Sequence, residues 1–285
     1  MATDAANSEK LKREQRAAWD ENAAGWKKWW PTFERAAQTV SDRLVALAAI
    51  KPGHRVLDVA TGTGEPAVTA ARIVGTSGRV VAVDQSPAML AIGRERAASL
   101  GLNNLEFVEA DAESLALPPA SFDAIVCRWG FMFMPDLDTT VAALRKLLKP
   151  GGRLATAVWA SGEKVPMITL AADAIRKLTG APPPPPGTLD PMRLADTSLL
   201  RRPLEASGFR AIAEQRLNVR FEFASEEVFA EFRSEVGRGR EMMAKLGPDV
   251  REKARIAMSE AVRKFTLGDG SVRLDNETIL ISASL

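Results

Sequence analysis

The sequence predicts an α/β fold built on a doubly wound, mostly parallel sheet. From residue 55 onward, short apolar runs rich in valine and leucine alternate with amphipathic helical stretches. This alternation is typical of strands that are covered by helices on both faces of a parallel sheet. The 285-residue chain has 46% hydrophobic and 26% charged residues, which is an ordinary composition for a globular protein with a sizeable core.

The elements follow in order along the chain. HRVLDVA and RVVAVD predict the first two strands, LEFVEAD and FDAIVCRW the next two, and RLATAVWA the fifth. PAVTAARIV, SPAMLAIGRERAASLG and TTVAALRKLLKPGG predict helices, and we expect the last of these to stop at Pro150 and the two glycines that follow it. Ser86 followed by Pro87 is a typical helix start, because serine caps the free amides and proline suits the first helical position.

The second half of the chain has a different rhythm. Helical stretches stand after the fifth predicted strand and again after AIAEQRLNVRFEF, which predicts a sixth strand, and VRLDNETILISASL predicts a strand at the end. Five prolines at residues 182–186 predict a stiff polyproline segment. That segment is either a rigid loop or part of a substrate entrance or partner site.

Charge and cysteine content limit the function classes. The 38 basic and 36 acidic residues are interleaved and leave a net charge of +2, which does not indicate nucleic-acid binding. The single cysteine, Cys127, excludes an internal disulfide and a multi-cysteine metal site, and we predict no metal. Residues 1–16 lack the apolar core of a signal peptide, and no apolar run approaches the ~20 residues that cross a bilayer. We expect a cytoplasmic protein without a membrane span and leave its oligomeric state open.

The most specific feature is the loop in VLDVATGTGEPA. A buried strand that carries Asp58 runs into Gly62, Gly64 and a helix, and glycine there lets backbone amides approach a ligand. The loop also satisfies the loose dinucleotide fingerprint, with Asp84 where a ribose-binding acid belongs. However, Asp58 and Glu65 would repel a pyrophosphate and attract a cation, which favours S-adenosylmethionine. The alternative is that Asp58 only caps the loop and Glu65 only complements the helix dipole.

A third acid and a series of motifs extend this interpretation. Asp111 ends the third predicted strand, where a carboxylate can accept the adenine amino group. VLDVATGTG, VVAVDQSPAML, EADAESLALP, FDAIVCRWGFMFMPD and LRKLLKPGGRLATAVW, in this order over residues 53–160, resemble the motifs of the class I S-adenosylmethionine-dependent methyltransferases. The similarity is to the small-molecule branch that includes the ubiquinone/menaquinone C-methyltransferases. It implies a Rossmann-like, seven-stranded sheet whose antiparallel strand the C-terminal segment supplies.

The resemblance also implies roles for individual residues around the cofactor. They are Asp58, Gly62 and Gly64 around the methionine portion, Asp84 on both ribose hydroxyls, Gln85 and Met89 flanking the adenine, Asp111 and Ala112 at its edge, and Cys127 and Arg128 beside the transferable methyl. Ala60 is also expected to bind the cofactor. The chain departs from some members of the superfamily. CRWGFMF stands where base-methylating members carry an Asn- or Asp-Pro-Pro-aromatic motif, so we do not expect a nucleobase acceptor. The chain also has no tyrosine to offer the cofactor from its N-terminal segment.

Tryptophans mark the expected substrate side. Four of the six lie in WDENAAGWKKWW, and three of these share one helix face. Two more stand at the carboxyl ends of strands four and five, the edge at which open α/β sheets bind ligands. Aromatic faces suit both a sulfonium and a flat acceptor. We assign to the lid and substrate side Trp19, Trp26, Trp30, Trp129 and Phe131.

The lid interpretation has an alternative, since the N-terminal helix could simply pack on the sheet. If the N-terminal helix is a lid, we expect a single domain over residues 1–285. It divides into an N-terminal helical lid (1–50), a cofactor-binding core (51–160), and substrate-shaping helices with the final strands (161–285).

Methyl transfer is an in-line displacement, and alignment supplies much of its rate. The only histidine, His54, precedes the first strand, at the edge of the sheet opposite the ligand crevice, and we expect a turn residue and not a base. An acidic or electron-rich acceptor such as a phenol, quinol or enol is therefore favoured. Arg128 either holds its oxyanion or pairs with a neighbouring acid. Two other classes stay open: an NAD(P)-dependent oxidoreductase that uses the same loop, and an inactive cofactor-binding scaffold.

Overall fold

Seven strands form one sheet in the computed structural model of this chain, which describes residues 2–183 and 188–285. The strands are β1 (Arg55–Val59), β2 (Arg79–Asp84), β3 (Leu105–Glu109), β4 (Phe122–Arg128), β5 (Leu148–Trp159), β6 (Arg210–Phe223) and β7 (Val272–Ser284). Their order across the sheet is β3-β2-β1-β4-β5-β7-β6. The first five are parallel, and β7 runs antiparallel to both β5 and β6. The predicted α/β class with a seven-stranded, mostly parallel sheet is confirmed.

Helices cover this sheet and extend beyond it. They are α1 (Ala2–Leu47), α2 (Ala67–Val74), α3 (Pro87–Ser99), α4 (Leu137–Leu147), α5 (Pro166–Thr179), α6 (Ser198–Ala206), α7 (Glu226–Glu235), α8 (Gly237–Ala244) and α9 (Pro248–Val262). The start of α3 is capped as its sequence predicts, since the Ser86 hydroxyl accepts a hydrogen bond from the Met89 amide and Pro87 takes the first helical position. Helices α5 and α6 follow β5, and α7, α8 and α9 follow β6.

The junction between α4 and β5 differs from its prediction. Helix α4 ends at Leu147, three residues before Pro150, and β5 already begins at Leu148. Leu148 pairs with Phe122 at the start of β4, and the register then shifts before Arg153 pairs with Ala124. Pairing with a neighbouring strand therefore ends the helix earlier than proline does, and local sequence does not report such a long-range pairing.

The sheet has its topological switch between β1 and β4. From β1 the strand order runs one way to β2 and β3 and the other way to β4 and β5. Helices that follow β1 and β4 leave in different directions, which opens a crevice at the carboxyl ends of these strands. The loops after β1, β2, β3 and β4 all reach this edge, so the crevice is where we look for the site.

Helix α1 divides into a core half and a half that crosses the crevice. In the second half, Phe33, Ala37, Val40 and Leu44 recur at helical spacing, and all four are buried. The helix contacts α3, α7 and strands β4, β5 and β6. The first half is anchored mainly through polar and aromatic contacts at the crevice. The N-terminal segment is thus packed on the sheet at one end only.

Two features of the chain remain to be placed. Within the described residues, no helix is both long enough and apolar enough to span a membrane. Most of the predicted polyproline segment, residues 184–186, lies outside the described residues.

Candidate active site

The loop after β1 turns sharply to reach the crevice. Gly62 has a φ of +56°, a conformation that favours glycine, and a side chain there would lie 3.5 Å from the Met89 methyl carbon. The Gly62 amide donates to Asp84 Oδ2 at 2.8 Å, and the Thr61 amide donates to the Val83 carbonyl at 3.0 Å. The glycine loop is therefore tied to the end of β2.

Asp58 lies buried beneath this loop. Its Oδ2 accepts hydrogen bonds from the Thr61 hydroxyl at 2.6 Å and from the Ala67 amide at 2.9 Å. Its Oδ1 is buried and finds no hydrogen-bond partner among the described residues. Burial raises the pKa of Asp58 to about 8. Asp58 thus holds the loop and the start of α2 from behind while keeping one oxygen unsatisfied.

Asp84 ends β2 with its carboxylate between two backbone segments. Its Oδ1 accepts from the Ser86 amide at 2.9 Å, and its Oδ2 accepts from Gly62. Asp20 of α1 reaches the same place, since its Oδ1 accepts from the Ser86 hydroxyl at 2.6 Å. Burial and the nearby Asp20 charge both raise the pKa of Asp84. Two carboxylates therefore concentrate negative charge at the start of α3.

Asp111, beyond the end of β3, is joined to the N-terminal helix. Lys12 Nζ lies 2.7 Å from Asp111 Oδ2 and 2.5 Å from Glu113 Oε2. These two partners outweigh the desolvation of the ammonium and raise the pKa of Lys12. No local pattern selects Lys12 or Glu113, because these two groups and Asp111 meet only when α1 crosses the crevice.

Arg128, at the end of β4, is fully engaged with α1. Its guanidinium forms a two-pronged ion pair with Glu34, with Nη1–Oε1 at 2.9 Å and Nη2–Oε2 at 3.0 Å. Nη1 also donates to the Ser41 hydroxyl at 2.9 Å and the Ala37 carbonyl at 3.2 Å. Arg128 was expected either to hold the acceptor's oxyanion or to pair with a neighbouring acid, and these contacts match the ion pair.

Aromatic rings form the other walls of the crevice. Trp129 stacks on Trp159, with 4.2 Å between centroids and 10° between planes. Phe33 of α1 meets Trp129 edge to face at 5.6 Å and Trp26 at 4.9 Å. The Trp129 indole also donates to the Thr278 hydroxyl at 2.9 Å, which fixes the stack against β7. A planar apolar group would find rings on several sides here.

These groups surround one cavity of about 420 Å³. Most of the predicted site residues line it, namely Ala60, Gly62, Asp84, Gln85, Met89, Asp111, Ala112, Arg128, Trp19, Trp26, Trp30 and Trp129. Four predicted residues do not line it: Asp58, Gly64, Cys127 and Phe131. The volume lies within the range of small-ligand sites.

The four residues outside the cavity have other surroundings. A Cβ added at Gly64 would lie 3.4 Å from the Gly93 Cα and 3.5 Å from the Phe107 ring. Phe131, which we expected to face the substrate, is fully buried in the hydrophobic core, because the turn after β4 directs it inward. Cys127 is also fully buried, and burial raises the pKa of its thiol to about 12. Cys127 is therefore a protonated thiol at neutral pH.

The tryptophans of α1 take different environments. Trp19 and Trp26 pack on Ala23 and Met89 at the cavity. Trp30 also lines the cavity, and the Arg96 guanidinium lies 3.5 Å from its ring centroid. Trp29 faces away from the cavity into the core, where its indole donates to Glu235 Oε2 at 2.6 Å. Three of the four therefore share the ligand side of α1.

His54 lies outside this site, whereas Arg233 lies inside it. His54 immediately precedes β1, at the amino end of a strand whose carboxyl end forms the crevice, and it does not line the cavity. Arg233 of α7 does line the cavity and was not predicted. A signal was available, since Arg233 stands one helical turn after Phe229, where the apolar face of α7 calls for an apolar residue.

The donor and acceptor groups fit a cationic cofactor without phosphate. Amides at a glycine loop and helix start bind phosphate only when they are free. Here the Gly62 amide donates to Asp84, the Ala67 amide to Asp58, and the Thr69 amide to Glu65 at 3.2 Å. These amides are thus already bonded to the protein's own carboxylates and are not free to bind a pyrophosphate. The unsatisfied oxygen of Asp58 leaves one further polar atom buried beneath the loop.

Comparisons with known proteins agree with this geometry. A family model described as a methyltransferase domain matches residues 56–152, from β1 into β5. A ubiquinone/menaquinone biosynthesis C-methyltransferase from Teredinibacter turnerae is 41% identical over 111 residues, which are 39% of this chain and 45% of that protein. The matched region therefore carries a methyltransferase domain, and the matches support the class I S-adenosylmethionine-dependent superfamily. Its cofactor is S-adenosylmethionine.

The family match covers residues 56–152, from β1 into β5, and not the second half of the chain. The alignment spans less than half the length of the curated relative. The YcgJ protein from Bacillus subtilis shares the fold with a TM-score of 0.58 over 87% of this chain and 98% of its own, at 22% identity. The [4+2]-cyclase SpnF shares it with a TM-score of 0.54 over 89% of this chain and 83% of its own, at 23% identity. The fold thus extends over the second half of the chain.

Proposed function

We propose that this methyltransferase transfers a methyl group from S-adenosylmethionine to a small, planar, electron-rich acceptor of the phenol, quinol or enol class. The observation that carries the proposal is that one cavity joins two kinds of wall. One wall is formed by the glycine loop and the acids after β2 and β3, and the other by stacked aromatic rings after β4 and β5. When bound, the cofactor supplies an electrophilic methyl group for in-line displacement.

The cofactor side is assigned residue by residue. Gly62 and Ala60 border the methionine portion, with Asp58 acting through the loop from behind. Asp84 holds the ribose, Gln85 and Met89 flank the adenine, and Asp111 and Ala112 meet its edge. All of these except Asp58 line the cavity, which supports the assignment. Gly64 serves packing of the loop against α3 and not direct contact.

Helix α1 closes the cofactor side. Lys12 engages Asp111, and Asp20 engages the start of α3, so the helix spans the two loops that face the adenine and ribose. Closing a site excludes water and strengthens the electrostatic contacts within it. Residues 1–50 therefore act as a lid, residues 51–160 bind cofactor, and residues 161–285 shape the acceptor site within one domain.

The acceptor side positions a ring and needs no base from the protein. Trp129, Trp159 and Phe33 offer ring faces and edges that align a flat acceptor with the methyl group. Cys127 stays protonated, and Arg128 is paired with Glu34, so neither activates the acceptor. An acceptor that is already acidic or electron-rich meets this requirement. Arg128 acts as a positioning residue that holds α1 against the end of β4.

Calorimetry with S-adenosylhomocysteine tests the cofactor assignment. The wild type should bind it, and Asp84→Ala should bind about 10- to 100-fold more weakly, because hydrogen bonds to a charged group are worth about 1.5–3 kcal/mol. Asp138→Asn, an exposed acid in the first turn of α4, is the matched control and should bind as the wild type does. Calorimetric binding of NADPH but not of S-adenosylhomocysteine would instead indicate the oxidoreductase alternative.

A transfer assay tests the reaction itself. Protein incubated with isotopically labelled S-adenosylmethionine should pass label to members of a phenol, quinol and enol panel, detected as methylated products by mass spectrometry. Binding of the cofactor without transfer to any member of the panel, or to any compound fractionated from the source cells, would favour the inactive scaffold.

A further inference from the structure

A buried arginine that forms no ion pair with any described residue lines the acceptor side of the cavity. Arg233 lies on α7 and is only 4% exposed. Its Nε is buried with no hydrogen-bond partner in the described part of the chain, and its Nη1 has only the Met167 sulfur, at 4.0 Å. Its guanidinium carbon lies 5.7 Å from the centroid of the Phe232 ring. These neighbours give it apolar contact and almost no charge compensation.

The charge persists at neutral pH. Burial lowers the pKa of Arg233 to about 10, while the charge of Glu241 opposes this change. Glu241 is exposed at the cavity and forms no ion pair with Arg233, although both line it. Arg238, half-buried on α8, adds a second positive charge to this side of the cavity.

The contrast with Arg128 makes Arg233 informative. Both guanidiniums line one cavity and are buried, but Arg128 has Glu34 in a two-pronged pair and Arg233 has no such partner among the described residues. An uncompensated buried charge costs several kcal/mol of stability, and proteins keep one where a ligand compensates it. A second unpaired donor, the Trp26 indole Nε1, is buried at the same cavity.

We propose that the methyl acceptor carries a carboxylate and that Arg233 binds it. The inference rests on the proposed methyl transfer and names the class of acceptor for the same site. A carboxylate matches the planar fork of a single guanidinium in charge and geometry. A phosphate dianion would leave charge unpaired among Met167, Ile168 and Phe232, which form the neighbouring wall. The rings of the cavity would hold the aromatic or conjugated part of the same molecule.

The test compares an acid with its neutral amide on the full chain. Protein saturated with S-adenosylhomocysteine is titrated calorimetrically with matched aryl probes, each as the carboxylate and the carboxamide, including 4-hydroxybenzoate with 4-hydroxybenzamide and 1-naphthoate with 1-naphthamide. The wild type should bind at least one carboxylate about 10-fold or more tightly than its amide, as expected of a charge-assisted pair. Equal affinities, or no binding of any carboxylate at millimolar concentration, would overturn the proposal.

Variants locate the effect at Arg233. Arg233→Met, which has an apolar side chain of similar length, should abolish the preference for the carboxylate. The ligand-free melting temperature should rise or stay unchanged, because a buried charge is removed. Arg255→Met, at an exposed position on α9, is the control and should keep the preference. A retained preference in Arg233→Met would overturn the proposal, and Arg233→Lys, which keeps the charge without the fork, should show an intermediate preference.

The two proposals fail in different ways. If the wild type does not bind S-adenosylhomocysteine, the proposed function fails, and the acid and amide probes are then compared on the ligand-free protein. If S-adenosylhomocysteine binds and Arg233→Met leaves its affinity unchanged, any loss of carboxylate preference belongs to the acceptor side alone.

Discussion

Arg128 and Glu34 join the end of β4 to the middle of α1 through two parallel contacts, at 2.9 and 3.0 Å. Their side chains are 5% and 12% exposed, so the pair is largely removed from water. Two further carboxylates, Glu65 and Asp58, lie near enough to raise the pKa of Arg128 together with Glu34. The pair therefore anchors α1 at the end of β4 and neutralises part of a buried acidic cluster.

Removing one partner of this pair should be strongly destabilising. In Glu34→Gln the Arg128 charge stays buried without its main partner, and breaking such a pair typically costs about 3–5 kcal/mol. Urea unfolding of the wild type and the variant measures this loss. Lys27→Ala is the control, because Lys27 and Glu95 form an exposed pair 2.6 Å apart that should be worth about 0–1 kcal/mol. Similar losses in both variants would contradict the structural role of the Arg128–Glu34 pair.

Asp58 should make the protein less stable as the pH rises. Its pKa is about 8 in the folded protein and has an ordinary value of 3.8, so between these two pH values the folded state binds more protons than the unfolded state. The free energy of unfolding should therefore fall with increasing pH over this window, by up to about 1.4 kcal/mol per pH unit, and level off above about pH 8. Burial raises the pKa of Glu65 and Asp84 in the same direction, which adds to the trend.

Unfolding measured from about pH 5 to about pH 9 checks this dependence. Asp58→Asn removes the titrating group while keeping an oxygen for the Thr61 and Ala67 hydrogen bonds, and its profile should be flatter than that of the wild type. A variant with the same slope as the wild type would assign the pH dependence to other groups.

His54 should not take part in catalysis. It lies before β1 and away from the cavity, so His54→Asn should leave turnover of any identified acceptor within a few-fold of the wild type. Steady-state rates measured at saturating cofactor and acceptor give the comparison. A loss on the order of 10²- to 10⁴-fold, as expected when a general base is removed, would contradict this placement.

The first half of α1 should be a lid that ligands order. Lys12 and Asp20 hold it to the loops after β3 and β2, and the aromatic contacts of Trp19 and Trp26 lie at the cavity itself. Hydrogen exchange of residues 8–30 should slow when S-adenosylhomocysteine is added, while residues 33–47, on the core half, should change little. Trp26→Ala should reduce turnover more than it reduces thermal stability.

A matched variant separates the lid from core packing. Trp29 lies on the same helical turn as Trp26 but faces the core, next to Phe232. Trp29→Phe should therefore affect stability more than turnover. If residues 8–30 are equally protected with and without ligand, and Trp26→Ala chiefly lowers stability, then the tryptophans of α1 are core residues and the lid interpretation is wrong.

The order of strands and helices could be predicted because its signals are local. Apolar periodicity, the Ser86 cap and the positions of Gly62 and Gly64 each act over a few residues, and the carboxyl-edge rule then placed Asp84 and Asp111 at one crevice. The end of α4 was misplaced because the pairing of Leu148 with Phe122 is a long-range contact. Cys127 and Phe131 were assigned to the ligand side, but Cys127 is fully buried within β4 and the turn after β4 directs Phe131 into the core.

Local patterns along the chain were enough to predict the α/β sheet, the glycine loop and the acids that favour a cationic cofactor. Which buried charges are compensated depends on tertiary contacts. Helix α1 brings Glu34 to Arg128 from 94 positions away, whereas no described carboxylate forms an ion pair with Arg233. The energy of a charge in a low-dielectric cavity depends on the groups within a few ångströms of it, and the folding of the chain determines which groups those are.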